Sequence, residues 1–304
     1  MPDGPLKTNI AFKPLAGALG AEAVGVDLSR PLDASTVEAI RGGLWEHMAL
    51  LFPATIPLDA EALIGFMRHF GEPDDQPFVG SFRLPNIGGN PHVFGFVKEA
   101  SDRAINLGGF WHADVTCRAR PHKAALLYCA DAPDAGGDTM FANQYMAFET
   151  LSDGMKDLLR GLKAVHSSAM THGREGARFA ATGKDHAPRP EDAKFSDEGY
   201  DAHANPGLEE AAHPVVRVHP ETGREHLYVN RAFTIRFDGM TVAESLPLLE
   251  FLWAHACRPE FTCRIRWHRD AVVLWDNRCC QHYAINDYFG QRREMHRVAV
   301  HEDA

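Results

Sequence analysis

Nowhere in the 304-residue chain is there an apolar run of about 20 residues, which excludes a transmembrane helix of ordinary length. Residues Met1 to Phe12 lack the apolar stretch and cleavage pattern of a signal peptide. Basic charge is in short supply: 41 acidic residues against 31 basic ones leave a net charge of −10. That balance argues against coating nucleic acid or an anionic membrane, so neither is expected as a partner. A small anionic substrate stays open, because a pocket can be basic inside an acidic protein. The six cysteines, Cys117, Cys129, Cys257, Cys263, Cys279 and Cys280, form no CxxC pair. They read as small core residues in a reduced, cytoplasmic compartment. Gly17, Gly20 and Gly25 do not fit a GxGxxG fingerprint, and no P-loop, GxSxG or HExxH word occurs. What the chain has in unusual number is histidine, 17 of them.

Helical signals come early. Ser35 and Glu38 read as a capping box ahead of Val37, Ile40, Leu44 and Met48 at helical spacing. Asp59 opens a second helix with Leu63, Phe66, Met67 and Phe70 on its apolar face, and Leu50 to Phe52 between them reads as a strand. After residue 90 strand-like segments dominate: 93–97, 124–129, 215–218, 227–229, 234–237, 262–267, 271–275 and 294–300. Helical stretches around 145–162 and 244–257 interrupt them. Strands in this number, with helices ahead of and between them, predict a mainly β fold braced by flanking helices, a sandwich or barrel in a single domain over 1–304. From Thr171 to His213 large apolar residues are scarce, and this segment is read as a lid or insertion.

Three words carry chemistry. In Trp111-His112-Ala113-Asp114 the imidazole and carboxylate are two apart, so in a strand they face the same side. His282 closes Trp275-Asp276-Asn277-Arg278-Cys279-Cys280-Gln281-His282 at the edge of an apolar strand. Two histidines and one carboxylate can cap one face of a metal and leave its other positions open. Arg293 and Arg297 alternate with Glu294 and His296, so both face one way on a strand, about 13 Å apart at 3.3 Å per residue. Buried guanidinium groups need anionic partners, and their forked donors match carboxylates and other oxyanions.

These words resemble the taurine dioxygenase / 2,4-dichlorophenoxyacetate dioxygenase (TauD/TfdA) family of Fe(II)- and 2-oxoglutarate-dependent enzymes. The resemblance spans Gly20-Ala21-Glu22, Gly25-Val26-Asp27-Leu28, Trp111 to Thr116, Gly136-Gly137-Asp138-Thr139, His213 to Arg217, His219 to Arg224, Tyr228-Val229-Asn230, Trp275 to Arg278, Gln281 to Ala284 and Arg292 to Arg297. It implies a double-stranded β-helix, the cupin-like jelly roll. It implies His112, Asp114 and His282 as iron ligands, and Thr139 and Arg293 at the distal carboxylate of 2-oxoglutarate. Arg297 then matches the arginine for the substrate's anionic group, and Phe233 an aromatic wall of the pocket. The implied reaction consumes O2, releases succinate and CO2, and hydroxylates a carbon next to a heteroatom. Homo-oligomers, dimers or tetramers, are common in that family.

Two positions depart from the taurine-specific pattern. Gln76 stands where a histidine is expected after Phe70-Gly71-Glu72, and Gly108 where an asparagine is expected before His112. Glycine removes bulk at a pocket mouth. The expected substrate is therefore a larger or more apolar sulfonate, an alkyl sulfate ester or an aryloxyalkanoate. The alternatives are a taurine dioxygenase proper, a metal or 2-oxoglutarate sensor, and a zinc hydrolase. A sensor needs no second anion site, and a zinc hydrolase leaves the co-substrate arginine without a task.

Overall fold

The computed structural model describes residues 10–53, 56–75, 84–102, 108–169 and 209–302. Gln76 lies outside the described residues, as does the expected lid up to residue 208. The end of that lid segment is a strand, because Glu210–Pro214 pairs along its length with Lys163–Ser167.

In chain order the strands are β1 (Ala11–Pro14), β2 (Ala21–Val24), β3 (Ala49–Phe52), β4 (Phe94–Lys98), β5 (His122–Asp131), β6 (Thr139–Asn143), β7 (Lys163–Ser167), β8 (Glu210–Pro214), β9 (Val216–Val218), β10 (Glu225–Leu227), β11 (Thr234–Phe237), β12 (Thr262–Ile265), β13 (Val272–Asp276), β14 (Cys280–Ala284) and β15 (Arg293–His301). The helices are α1 (Ala34–His47), α2 (Ala60–Met67), α3 (Gln144–Glu149), α4 (Asp153–Arg160) and α5 (Val242–Ala256). Among these residues seven strands form one sheet in the order β1-β2-β3-β13-β5-β15-β4, and β12-β6-β14 form a second. Smaller sheets, β11-β7-β8 and β10-β9, lie beside them.

Strand alternation gives the large sheet two apolar faces. Leu50, Leu126, Leu274 and Val298 pack with Ile40 and Leu44 of α1 and Leu63 and Met67 of α2. The alternate residues Ala49, Ala125, Val273 and Met295 pack instead with Phe141 and Cys280 of the second sheet. Two packed sheets with helices outside one of them are the jelly roll that the sequence implies.

Local capping differs from the sequence reading in one place. Asp33, not Ser35, caps α1: its carboxylate accepts the Thr36 N–H at 2.8 Å, and the Ser35 hydroxyl donates to the same oxygen. The aspartate, two residues earlier, is extended and reaches the free amides of the first turn. The capping box lies elsewhere, at Thr241 and Glu244 ahead of α5. The helical stretch around 145–162 divides into α3 and α4, with Ser152 capping the second. Strands β1, β2, β6, β7 and β14 escaped the sequence reading, since four or five residues carry little periodicity.

Candidate active site

His112 sits in a short extended segment, not a long strand. It makes one antiparallel bridge with His282 of β14, the His112 N–H donating to His282 O at 3.1 Å and the His282 N–H to His112 O at 2.7 Å. The bridge sets the two imidazoles side by side, with ring centroids 4.0 Å apart. Two residues on the chain turns, and Val115 takes φ +46°, a strained conformation for a β-branched side chain. Asp114 is thereby aimed back at the histidines. Asn277 holds this turn from the other side, accepting the Asp114 N–H at 2.8 Å and donating to Asp114 O at 3.1 Å and His122 O at 3.0 Å.

Asp114 Oδ1 is 3.6 Å from His112 Nε2 and 3.8 Å from His282 Nε2. The other carboxylate oxygen turns away, 2.7 Å from Arg297 Nη2. His112 Nδ1 lies 2.8 Å from the Phe110 carbonyl, which only accepts, so that nitrogen carries the proton and Nε2 offers its lone pair inward. Burial holds both imidazoles below their ordinary pKa, His282 at about 3, with His112 adding to the effect on His282. Burial alone would raise Asp114; Arg297 and the two histidines overcome it and keep the carboxyl ionised well below the usual range. Two neutral imidazoles and one carboxylate, with their ligand atoms within 4.8 Å of one another, suit a divalent cation with open positions. His282 Nδ1 is buried with no hydrogen-bond partner. The aromatic rings of Trp275 and Phe141, at 4.9 and 6.0 Å from the His282 ring, fix its plane instead.

Arg293 and Arg297 lie on the inner face of β15, as their alternation predicts, with relative exposures of 7% and 4%. Arg293 keeps Nε and Nη2 buried and without hydrogen-bond partners, and burial lowers its pKa. Its guanidinium carbon is 6.0 Å from the Trp267 ring and 5.9 Å from the Tyr288 ring. Trp267 donates from Nε1 to Thr139 Oγ1 at 2.9 Å, tying that hydroxyl to the arginine's wall. A Cβ on Gly137 would stand 3.2 Å from Arg293 Cδ, so the Gly136-Gly137 word lets the backbone pass close to this pocket. Orphaned donors on a buried cation mark a place built for an anion.

Phe233 is buried with Ala232, Val115 and Cys117, and Phe110 packs against that cluster. Gly108 abuts the metal side directly: a Cβ there would stand 3.0 Å from His112 Cε1. Sequence reasoning missed Trp267 and Tyr288, which line the Arg293 pocket, and His122, which faces Arg297. Asn277 was inside a quoted word, but its hydrogen bonds to the Asp114 turn are long-range. Asp276 and Arg278 of the same word form a buried ion pair, Nε to Oδ1 at 2.9 Å, joined by His219 Nε2 at 2.9 Å from Asp276 Oδ2. This pair anchors the turn that leads into β14.

The model of the family described as "Taurine catabolism dioxygenase TauD, TfdA family" matches residues 11–299. An alpha-ketoglutarate-dependent sulfate ester dioxygenase from Pseudomonas putida is 36% identical over 94% of this chain and 88% of its own length. An alkylsulfatase from Acinetobacter baylyi is 34% identical, covering 96% of this chain and 84% of its own. Among solved structures, a taurine dioxygenase from Burkholderia xenovorans superposes with a TM-score of 0.75 at 34% identity, covering 97% of this chain and 90% of that one. With a di-histidine carboxylate centre, a buried arginine pocket and likeness along nearly the whole chain, this protein belongs to the TauD/TfdA family of 2-oxoglutarate-dependent dioxygenases, oxidoreductases that use Fe(II), 2-oxoglutarate and O2.

Proposed function

We propose that His112, Asp114 and His282 hold the iron, that Thr139 and Arg293 take the distal carboxylate of 2-oxoglutarate, and that Arg297 takes the anionic group of an alkyl sulfate ester or alkanesulfonate. The observation that carries this reading is the pair of buried arginines on one face of β15, one with unpartnered donors and one against Asp114. The orphaned donors of Arg293 call for an anion, the co-substrate; Arg297, which already meets Asp114, stands on the same strand face against the metal-site carboxylate, where the substrate's anionic group is assigned. Iron(II) with 2-oxoglutarate and O2 supplies the oxidant that places a hydroxyl on the substrate carbon.

The protein's part is binding and exclusion. Asp114 offers Oδ1 to the metal and Oδ2 to Arg297, so one carboxylate links the metal site to the anion site. Arg293 and Thr139 orient the co-substrate from a wall of Trp267 and Tyr288. Phe233 and Phe110 supply an apolar boundary against water. Gly108 leaves room where a side chain would crowd His112. That room favours alkyl chains over taurine, and the relatives named for sulfate esters support the same class. Gln76 joins this set as a substrate-side residue on its sequence position alone. Hydroxylation of a carbon bearing sulfate oxygen gives an unstable product that separates into an aldehyde and sulfate. All six cysteines are unpaired, which supports a reduced cytoplasmic setting. We assign the chain a homo-oligomeric state, dimer or tetramer, on its family alone; light scattering giving a monomer refutes that.

Succinate release tests the function, assayed with hexyl sulfate, hexanesulfonate, 2,4-dichlorophenoxyacetate and taurine. Hexyl sulfate or hexanesulfonate should lead, with aldehyde formed in step and no turnover by His112→Ala. Taurine at the top of that series overturns the substrate assignment.

A further inference from the structure

Behind the candidate metal centre a buried polar chain runs outward. Arg297 Nη2 lies 2.7 Å from Asp114 Oδ2 and 3.3 Å from His122 Nδ1. On the far side of the same ring, His122 Nε2 is 2.8 Å from Asp74 Oδ2. The ring is wholly buried, and Asp74 is 3% exposed. A guanidinium only donates, so His122 Nδ1 accepts from Arg297. The proton of the neutral ring then resides on Nε2 and is donated to Asp74. Asp74 in turn accepts from Arg118 Nη1 at 2.9 Å and pairs with His301 Nε2 at 3.2 Å. Arg118 is itself paired with Glu209 at 2.8 Å. Asp74, His122 and His301 have the composition of a second metal site. Arg118 and Arg297 on either side already supply the positive charge, which disfavours a cation there.

The arrangement suits a different task. An arginine side chain has several rotatable bonds, and its position on β15 does not fix where the guanidinium points. Asp114 restrains Nη2 from one direction, and the His122 lone pair restrains it from another. We propose that His122, braced by Asp74, is a positioning residue that sets the direction of Arg297 and thereby the place where the substrate's anion binds. This rests on the reading of Arg297 as the substrate's partner. It adds a residue that touches neither substrate nor metal.

Two substitutions separate the two faces of the ring. His122→Gln places its amide near Nε2, keeping a donor for Asp74 and losing the acceptor for Arg297. His122→Asn places a carbonyl near Nδ1, keeping the acceptor for Arg297 and losing the contact to Asp74. Hexyl sulfate is titrated calorimetrically into the anaerobic holoenzyme with Fe(II) and 2-oxoglutarate, and crystal structures of both variants are determined. The glutamine variant should bind hexyl sulfate about tenfold more weakly, the loss of one charge-assisted hydrogen bond, and the asparagine variant within about twofold of the parent. Affinity for 2-oxoglutarate should be unchanged in both. The crystal structures should show Arg297 turned from Asp114 in the glutamine variant and in place in the asparagine variant. Equal weakening in both variants, or parent-like binding by the glutamine variant, overturns the proposal. Should the glutamine variant not fold, Asp74→Asn leaves His122 in place with a weaker brace; a partial loss of hexyl sulfate affinity is then expected, and none overturns the proposal. If the parent binds no hexyl sulfate, the substrate reading fails on its own. The place of Arg297 in the two crystal structures then decides the positioning role: turned away only in the glutamine variant supports it, and any other pattern overturns it.

Discussion

Replacing Gly108 by alanine should weaken metal binding without touching a ligand. Gly108 has φ +79°, where an L side chain costs about 1–2 kcal/mol. That backbone cost is general, but the second effect is local. The new Cβ would lie 3.0 Å from His112 Cε1 and 3.4 Å from Nε2. Comfortable carbon contacts begin near 3.5 Å, so roughly 0.5 Å must be relieved. The His112 ring has little freedom to yield, held by the Phe110 carbonyl at 2.8 Å and set against the tilted His282 ring with centroids 4.0 Å apart. Metal–ligand distances tolerate only about 0.2 Å, and disturbing a ligand's support typically costs about 10–100-fold in affinity. Mn(II) binding, followed by the electron paramagnetic resonance of the free ion, measures this directly. Gly89→Ala is the control: Gly89 has φ +71° and nothing within 4 Å of its would-be Cβ. It should lose stability and keep parent affinity. If Gly108→Ala also keeps Mn(II) affinity within about twofold of the parent, the glycine is not what keeps the His112 edge clear, and the reasoning fails.

Arg293→Gln should raise KM for 2-oxoglutarate about 10–100-fold, the worth of a buried hydrogen-bonded charge, and leave Mn(II) affinity unchanged; steady-state kinetics with the metal titration checks both. Asp276→Asn removes one of the two carboxylates paired with buried Arg278, leaving Glu221 at 2.9 Å, and should cost about 1.5–3 kcal/mol in urea unfolding, the worth of a hydrogen bond to a charged group. Stability should also fall with pH through the histidines. Burial lowers His226 to about 3 in the folded protein, so between its ordinary value of 6.5 and about 3 the unfolded chain carries a proton the folded one refuses. The contribution of neutral His226 is therefore complete above pH 6.5 and is lost as pH falls, by up to about 1.4 kcal/mol per pH unit. Urea midpoints measured from pH 7 to 4.5 should show a shallower decline for His226→Gln, and an identical slope refutes the assignment.

How much was legible depended on distance along the chain. The two helices after Ser35 and Asp59 were visible because their apolar residues repeat locally, although the first cap moved to Asp33. The face shared by Arg293 and Arg297 followed from alternation within one strand. His112 and His282 were recognisable as words, yet 170 residues separate them, and the bridge that sets their rings 4.0 Å apart has no local signature. Strand alternation predicted that His112 and Asp114 face one side, and the structure brings them to 3.6 Å by a different route. The chain turns at Val115, and Asn277 holds the turn. The segment read as a lid ends in β8 because Glu210 to Pro214, with no large apolar side chain among them, pair with β7, a partner that periodicity does not reveal.

By itself the sequence determined the family, the mainly β architecture, the candidate metal donors His112, Asp114 and His282, and the common face of the two arginines. All of these are written in residue identity and short spacing, which survive without coordinates. Only the tertiary structure decided which carboxylate oxygen faces the histidines and which faces Arg297, that Arg293 carries buried donors without partners, and that Asp74 and His122 stand behind Arg297. Hydrogen bonds and ion pairs act over about 3 Å. The strands that bring these groups together are joined by sheet pairing across more than 150 residues, a distance over which sequence spacing carries no geometry.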